Sequence, residues 1–407
     1  MRAVSLLLFA IFPSCAAGDA AIDVHADFEG GNIGKVERVS ATHFRCAVAG
    51  EADHDGRNRQ ASWYYFRLDH VRGREVTIDL VNLLGEYNYQ PGTHAVTRST
   101  RPVYSYDDRE WRFVEQVAWD EREPMLRLRL KPEKDSVWIA HVAPYTNRNF
   151  QTLGESLRGN AWLKQESAGR TVGGREMPLL TITNPAVPDG AKKVVWLMAR
   201  QHAWESGTSW IAEGALRFLL SSDPAAARVR DGFVVKFFPL ADPDGVARGG
   251  VRYNANGYDL NRNWDAVDPS AMPEIAAQRK AILDWVDAGH RLDLFLTIHN
   301  QEKSDSLGGP LEAGGPASRQ VADRLLRFLR ANSDFYCPGG LNDSGTTTTP
   351  GLKGRMTVDQ GLFHERRIPA LLIELSVEAV PAHGRPRTVE EWKQFGVRLV
   401  EAIAASL

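Results

Sequence analysis

A chain of 407 residues exceeds one average domain, and with 43% hydrophobic and 25% charged residues it has the make-up of a globular protein with ample core, not of a disordered or fibrous one. A formal net charge of -2 offers no basic excess to release counterions from nucleic acid and no polybasic block for an anionic membrane. Three cysteines cannot build a disulfide framework.

The chain opens on Arg2 and an apolar run to Phe12, followed by Pro13 and the small residues Ser14-Cys15-Ala16-Ala17-Gly18. That is the order of a secretory signal peptide, expected over residues 1–20, and it predicts an exported protein, periplasmic or secreted. Lipid attachment at Cys15 is the minor reading, because Phe12-Pro13-Ser14 suits a lipidation site poorly. No segment approaches the roughly 20 apolar residues of a membrane span. Cys46 and Cys337 remain after cleavage, far apart in sequence, and are expected as two free thiols.

Residues 21–150 read as short strands separated by turns. The stretch 61–68 is rich in aromatic residues, 75–82 alternates, and 125–130 alternates strictly from Leu126 on. Period two with turns between predicts an antiparallel β-sandwich domain. Trp63, Tyr65, Trp111 and Trp138 are expected in its core rather than on a carbohydrate-stacking face. A helix over 153–163 and a polar, glycine-containing stretch to about 174 mark the boundary.

From 151 to 407, apolar strands at 179–183, 193–198, 233–238, 292–298 and 369–375 alternate with helices at 211–220, 273–288, 318–331 and 389–406. The pattern predicts an α/β domain, a mostly parallel mixed sheet with helices on both faces. Residues 308–315, with their four glycines, read as a flexible surface loop.

In such sheets the site lies beyond the carboxyl ends of the strands. Strand 193–198 runs out to His202 and Glu205, an imidazole and a carboxylate three positions apart that suit one zinc ion. Strand 292–298 ends at His299, where a third ligand would stand. Glu374 interrupts the apolar run Ala370-Leu-Leu-Ile-Glu-Leu375, a costly place for a carboxylate unless it is paired, hydrogen-bonded or facing an open site. The loop 238–264 offers Arg252, Arg262 and Asn261, and a planar guanidinium binds both oxygens of a carboxylate at once. Taken singly, each has an ordinary alternative: an exposed turn, a satisfied strand-end histidine, a glutamate paired with a buried arginine, a loop tied by its own ion pairs.

Taken in order, His202-Ala-Trp-Glu205, Asp242-Pro-Asp-Gly-Val246, Arg252-Tyr-Asn-x-x-Gly-Tyr-Asp-Leu-Asn-Arg-Asn-Trp264, Thr297-Ile-His-Asn300 and Ile373-Glu-Leu-Ser376 resemble a zinc metallocarboxypeptidase of the funnelin fold. The region ahead, with Trp63-Tyr-Tyr-Phe66 and Ala143-Pro-Tyr-Thr146, resembles the cytosolic carboxypeptidase branch. The resemblance implies Zn2+ on His202, Glu205 and His299, with Glu374 activating the attacking water. It further implies that Arg252 polarises the scissile carbonyl and stabilises its oxyanion, and that Asn261 and Arg262 hold the substrate's terminal carboxylate.

The implied activity removes one C-terminal residue from a peptide or protein. An amidase or deacylase acting on N-acyl amino acids or cell-wall peptides would use the same centre. A non-catalytic binding protein is the reading from another class, and the complete ligand and base set argues against it. The chain departs from the family in having no tyrosine between residues 346 and 373, where a tyrosine closes over bound substrate. Tyr336 lies further upstream, and His364 is a candidate polar cap. Lys353 and Arg355, in the segment that borders the departing residue's pocket in the family, raise the expectation of a preference for acidic C-terminal residues.

Overall fold

Leu126 and Leu128 alternate with Arg127 and Arg129 along the strand Met125–Leu130, which buries the leucines and turns the arginines outward. In the computed structural model, which describes residues 20–93 and 95–407, this alternation builds two five-stranded sheets. The stretch expected as a signal peptide, but for Ala20, lies outside the described residues, and so does Cys15. One sheet runs in the order Asp23–His25, Tyr65–Asp69, Ser136–Ala140, Val103–Ser105, Arg112–Phe113; the other runs Gln116–Asp120, Met125–Leu130, Val76–Val81, His43–Ala47, Val36–Arg38. All their pairings are antiparallel except that of His43–Ala47 with Val76–Val81. Phe44, Phe66, Leu68, Ile78, Leu80, Leu126, Leu128 and Ile139 fill the space between.

Trp63 and Tyr65 are buried, but against Trp204, Val251 and Val377 of the larger region, with Trp111 and Trp138 at the margin. These aromatic residues seal the seam between sandwich and sheet instead of the sandwich core.

The larger region is organised on an eight-stranded sheet, in the order Leu163–Arg170, Glu176–Ile182, Phe233–Phe238, Lys193–Ala199, Leu294–Gln301, Ala370–Ser376, Ser306–Gly309, Leu341–Asp343. The four strands from Phe233–Phe238 to Ala370–Ser376 are parallel, and antiparallel pairings flank them. Helices Ser206–Leu219, Leu311–Asn332 and Val389–Ser406 cover one face, Pro273–Asp287 and Val358–Arg366 the other.

Three local expectations shift. The first helix spans Asn147–Ser156, because Asn149 Oδ1 accepts the Thr146 backbone N–H and fixes the start there. The polar stretch after it is the edge strand Leu163–Arg170, whose outward residues need no apolar pattern. Gly308 and Gly309 are not loop: they lie buried in the strand Ser306–Gly309, where a Cβ on Gly309 would sit 2.5 Å from Ala370 O. Cys46 and Cys337 are buried and free. Among the described residues no helix is long and apolar enough to cross a membrane.

Candidate active site

Strands Lys193–Ala199 and Leu294–Gln301 are parallel neighbours, so the turn that leaves the first meets the end of the second. Arg200, with a φ of 62°, bends the chain sharply, and its buried guanidinium fixes the turn through Ala203 O (2.8 Å) and Ser209 Oγ (2.9 Å). Glu205 then occupies the N-cap of helix Ser206–Leu219 without capping it, which leaves its carboxylate free to face the histidines. His299 lies within its strand, which continues to Gln301.

His202 Nδ1 is 2.6 Å from Glu205 Oε1, and His299 Nδ1 is 3.0 Å from Glu205 Oε2. One ligand atom from each of the three residues lies within 4.8 Å of the others, and all three are buried. The far ring nitrogens are held from behind: His202 Nε2 by Asp259 Oδ1 (3.1 Å), His299 Nε2 by Thr297 Oγ1 (3.0 Å) and Gln201 Oε1 (3.1 Å). Two imidazoles and a carboxylate converging in a buried spot, each imidazole oriented by a further acceptor, suit a catalytic zinc ion. The charge fits as well. Burial works against ionised Glu205, yet the two imidazoles hold its carboxyl down at about 2, a buried anion for which a cation is the natural partner.

Strand Ala370–Ser376 pairs in parallel on the other side of Leu294–Gln301 and places Glu374 opposite His299. Glu374 is half-buried and faces a cleft of about 540 Å³ that His202, Glu205, Arg252, Asn261 and Arg262 also line. Burial, then repulsion from Glu205 and Glu302, raises its proton affinity well above that of an ordinary glutamate. Burial likewise pushes the neighbouring Glu302 up to about 7.

The cationic side of the cleft comes from the loop after helix Pro243–Ala247, and the sandwich lines it too, through Arg59 to Ser62 and Tyr87. Arg252 Nε donates to Asp259 Oδ2 (2.7 Å), so Asp259 orients both His202 and Arg252. Burial opposes the charge on Arg252, but Asp259 overrides it and raises the arginine's proton affinity. Asn261 Oδ1 accepts the Val358 N–H (2.9 Å), and its Nδ2 lies 3.3 Å from His299 Nε2. Arg262 gives Nη1 to Asn261 O (2.7 Å) and Nη2 to the Tyr87 hydroxyl (3.0 Å), while its buried Nε has no partner among the described residues.

This loop is anchored by the sandwich. Glu51 Oε2 accepts the backbone N–H groups of Val251 (2.9 Å), Arg252 (2.6 Å) and Tyr253 (2.9 Å), and Glu51 Oε1 accepts from Arg248. Asp259, inside the recognised motif, and Gln201, beside His202, were within reach of sequence reasoning. Glu51 and Tyr87 carried no signal, because they belong to a different fold region. The residues singled out for closure and selectivity lie elsewhere. Arg355 donates to Asn88 Oδ1 (2.7 Å), while Lys353, Tyr336 and His364 are exposed. None of the four lines this cleft.

Residues 160–304 match a family model described as zinc carboxypeptidase, and residues 24–142 match one described as cytosolic carboxypeptidase N-terminal domain. The first spans the three candidate ligands and the arginine loop but stops short of Glu374. Cytosolic carboxypeptidase 2 of Mus musculus is 30% identical over 300 residues, which cover 69% of this chain and 34% of that protein. Cytosolic carboxypeptidase 6 of Homo sapiens is 30% identical over 293 residues, which cover 67% of this chain and 56% of that protein. The chain thus spans between about a third and a little over half of these curated relatives. A metallo-carboxypeptidase from Burkholderia cenocepacia matches with a TM-score of 0.80 at 25% identity, covering 95% of this chain and 98% of that one. A metallo-carboxypeptidase from Pseudomonas aeruginosa, in complex with (2-guanidinoethylmercapto)succinic acid, matches with a TM-score of 0.77 at 25% identity, covering 94% and 98%.

Proposed function

The chain belongs to the zinc carboxypeptidases, and from that premise we propose that it is a zinc-dependent exopeptidase that removes one residue from the C-terminus of a peptide or protein. The observation that carries this reading is one cleft with two ends. His202 and Glu205 of the buried ligand set line it beside Glu374, with His299 against Glu205, and so does Arg262, with a buried N–H that lacks a partner among the described residues.

His202, Glu205 and His299 would hold the zinc, which when bound supplies Lewis acidity toward a water and the scissile carbonyl. The substrate's terminal carboxylate seats on Arg262, where a planar guanidinium can donate from Nε and an Nη together. Asn261 braces that guanidinium through its carbonyl and lines the same end of the cleft. Arg252, kept charged and oriented by Asp259, faces the carbonyl oxygen and stabilises the negative charge that develops there. The Glu374 carboxylate takes a proton from the attacking water and returns it to the leaving amine nitrogen as the C–N bond breaks.

A related fold that binds a substituted succinic acid agrees with a cleft built for carboxylates. The preference for an acidic departing residue rests on the resemblance alone, since neither Lys353 nor Arg355 faces the cleft. Export rests likewise on the order of residues 1–20, and sequencing the N-terminus of protein recovered outside the cytoplasm checks it.

The test of the reading is mass spectrometry of a peptide incubated with the zinc-loaded protein. A single C-terminal residue is released, release stops on chelation, and zinc restores it. Cleavage at internal bonds or from the N-terminus contradicts it.

A further inference from the structure

Tyr87 belongs to the sandwich region, on the hairpin of Gly85–Tyr87 and Gln90–Thr93, yet its phenol lies in the cleft. Its hydroxyl accepts from Arg262 Nη2 at 3.0 Å, and its ring centroid lies 5.5 Å from the Arg252 guanidinium. The phenol therefore stands between the cation that would face the scissile carbonyl and the one that would face the terminal carboxylate.

Two features make this placement more than chance proximity. A phenol that accepts one hydrogen bond still has a proton to donate, and among the described residues that proton has no acceptor. The hairpin tip is also tied down. Asn88 and Tyr89, with φ of 49° and 63°, close it tightly. Arg355 Nη2 then donates to Asn88 Oδ1 from the sheet region, while the Tyr89 N–H donates to Asn58 Oδ1 (2.7 Å) within the sandwich. A residue 36% exposed on a short hairpin is thus fixed from both sides with its hydroxyl aimed at Arg262.

We propose that Tyr87 is a substrate-binding residue supplied by the sandwich: when the terminal carboxylate of a substrate seats on Arg262, the Tyr87 hydroxyl donates its free proton to that carboxylate. The proposal rests on the exopeptidase reading of the site. A neutral donor on a charged acceptor makes a short hydrogen bond about twice as strong as a neutral pair. The chain has no tyrosine between residues 346 and 373 to offer a second phenol from the loop beside the cleft.

The test uses the full zinc-loaded chain carrying Glu374→Gln, so that ligand stays intact, with and without Tyr87→Phe. A short peptide with a free C-terminus and the same peptide as its C-terminal amide are titrated calorimetrically. Tyr87→Phe keeps the ring against Arg252 and removes only the hydroxyl. It weakens the free acid about tenfold, the scale of a hydrogen bond to a charged group, and moves the amide less than about twofold. With Glu374 intact, Tyr87→Phe raises KM about tenfold and leaves kcat within about threefold. Unchanged affinity for the acid, or equal weakening of acid and amide with an unchanged melting temperature, overturns the proposal. If the protein releases no residue but the acid-specific loss is present, the exopeptidase reading fails and Tyr87 stands as a carboxylate ligand.

Discussion

The two ends of the cleft are built in different ways. At the metal end, every group arrives from one sheet: His202 and Glu205 after one strand, His299 on its parallel neighbour, and Glu374 opposite His299 on the next. At the substrate end, Arg252, Asn261 and Arg262 lie on a loop that is neither helix nor strand beyond the bridge Tyr253 to Asp259. Its shape depends on a separate region, through Glu51 beneath the backbone of Val251 to Tyr253, Asn58 O beneath the Tyr253 hydroxyl (2.7 Å) and Tyr87 against both arginines. The sheet by itself positions the three candidate ligands and Glu374, whereas the loop that carries Arg252, Asn261 and Arg262 is shaped jointly with the sandwich. Asp259 touches both ends through its carboxylate, and Asn261 Nδ2 also reaches the metal end at His299 Nε2 (3.3 Å).

Substitutions that strike one end and spare the other sharpen this contrast. Glu374→Gln removes the proton acceptor from the metal end. It should lower kcat about 100- to 10,000-fold while zinc content, by elemental analysis, stays at one per chain. Wild-type kcat in a zinc-replete variant breaks the assignment. Asp259→Asn strikes the link. It should weaken zinc about 10- to 100-fold in competition with a chelator, because His202 loses the carboxylate that orients it, and it should lower kcat/KM as Arg252 loses its anchor.

Glu51→Ala strikes the substrate end from the sandwich. Three backbone N–H groups lose their acceptor, at about 1–3 kcal/mol for each that stays buried and unpaired. The melting temperature and kcat/KM should fall while zinc affinity holds. Zinc affinity that falls in step with activity would merge the two ends into one. The smallest effect is expected for Arg355→Ala, outside the cleft. Relative kcat/KM for matched peptides ending in Glu, Lys and Phe should move less than about threefold, as a surface change worth about 0.5 kcal/mol allows.

The same contrast explains what was legible in the sequence. Strand Phe233–Phe238 and helix Val389–Ser406 could be read to the residue because fully buried strands and amphipathic helices write their period into the chain. The three ligands emerged from asking what stands at strand ends, and Glu374 from a carboxylate set inside an apolar run. Gly308 and Gly309 misled because glycines that admit a close backbone neighbour resemble glycines that free a loop. The short helix Val358–Arg366 went unseen, since its buried Asp359 and Gln360 break the apolar pattern and are satisfied by Thr357 and Ser344. Glu51 and Tyr87 stayed hidden for a different reason. Each works at the substrate end across a long sequence separation, and nothing local distinguishes Glu51 from any turn glutamate.

The measurement that tests the account most directly is the hydrolysis of one peptide and of its C-terminal amide by the zinc-loaded wild-type protein under identical conditions. A cleft that positions substrate through Arg262 and its unpaired Nε should cleave the amide about 100-fold more slowly or worse, because the amide leaves a buried cation without its anion. Equal kcat/KM for the two peptides would contradict the account, since Arg262 would then not be holding a terminal carboxylate.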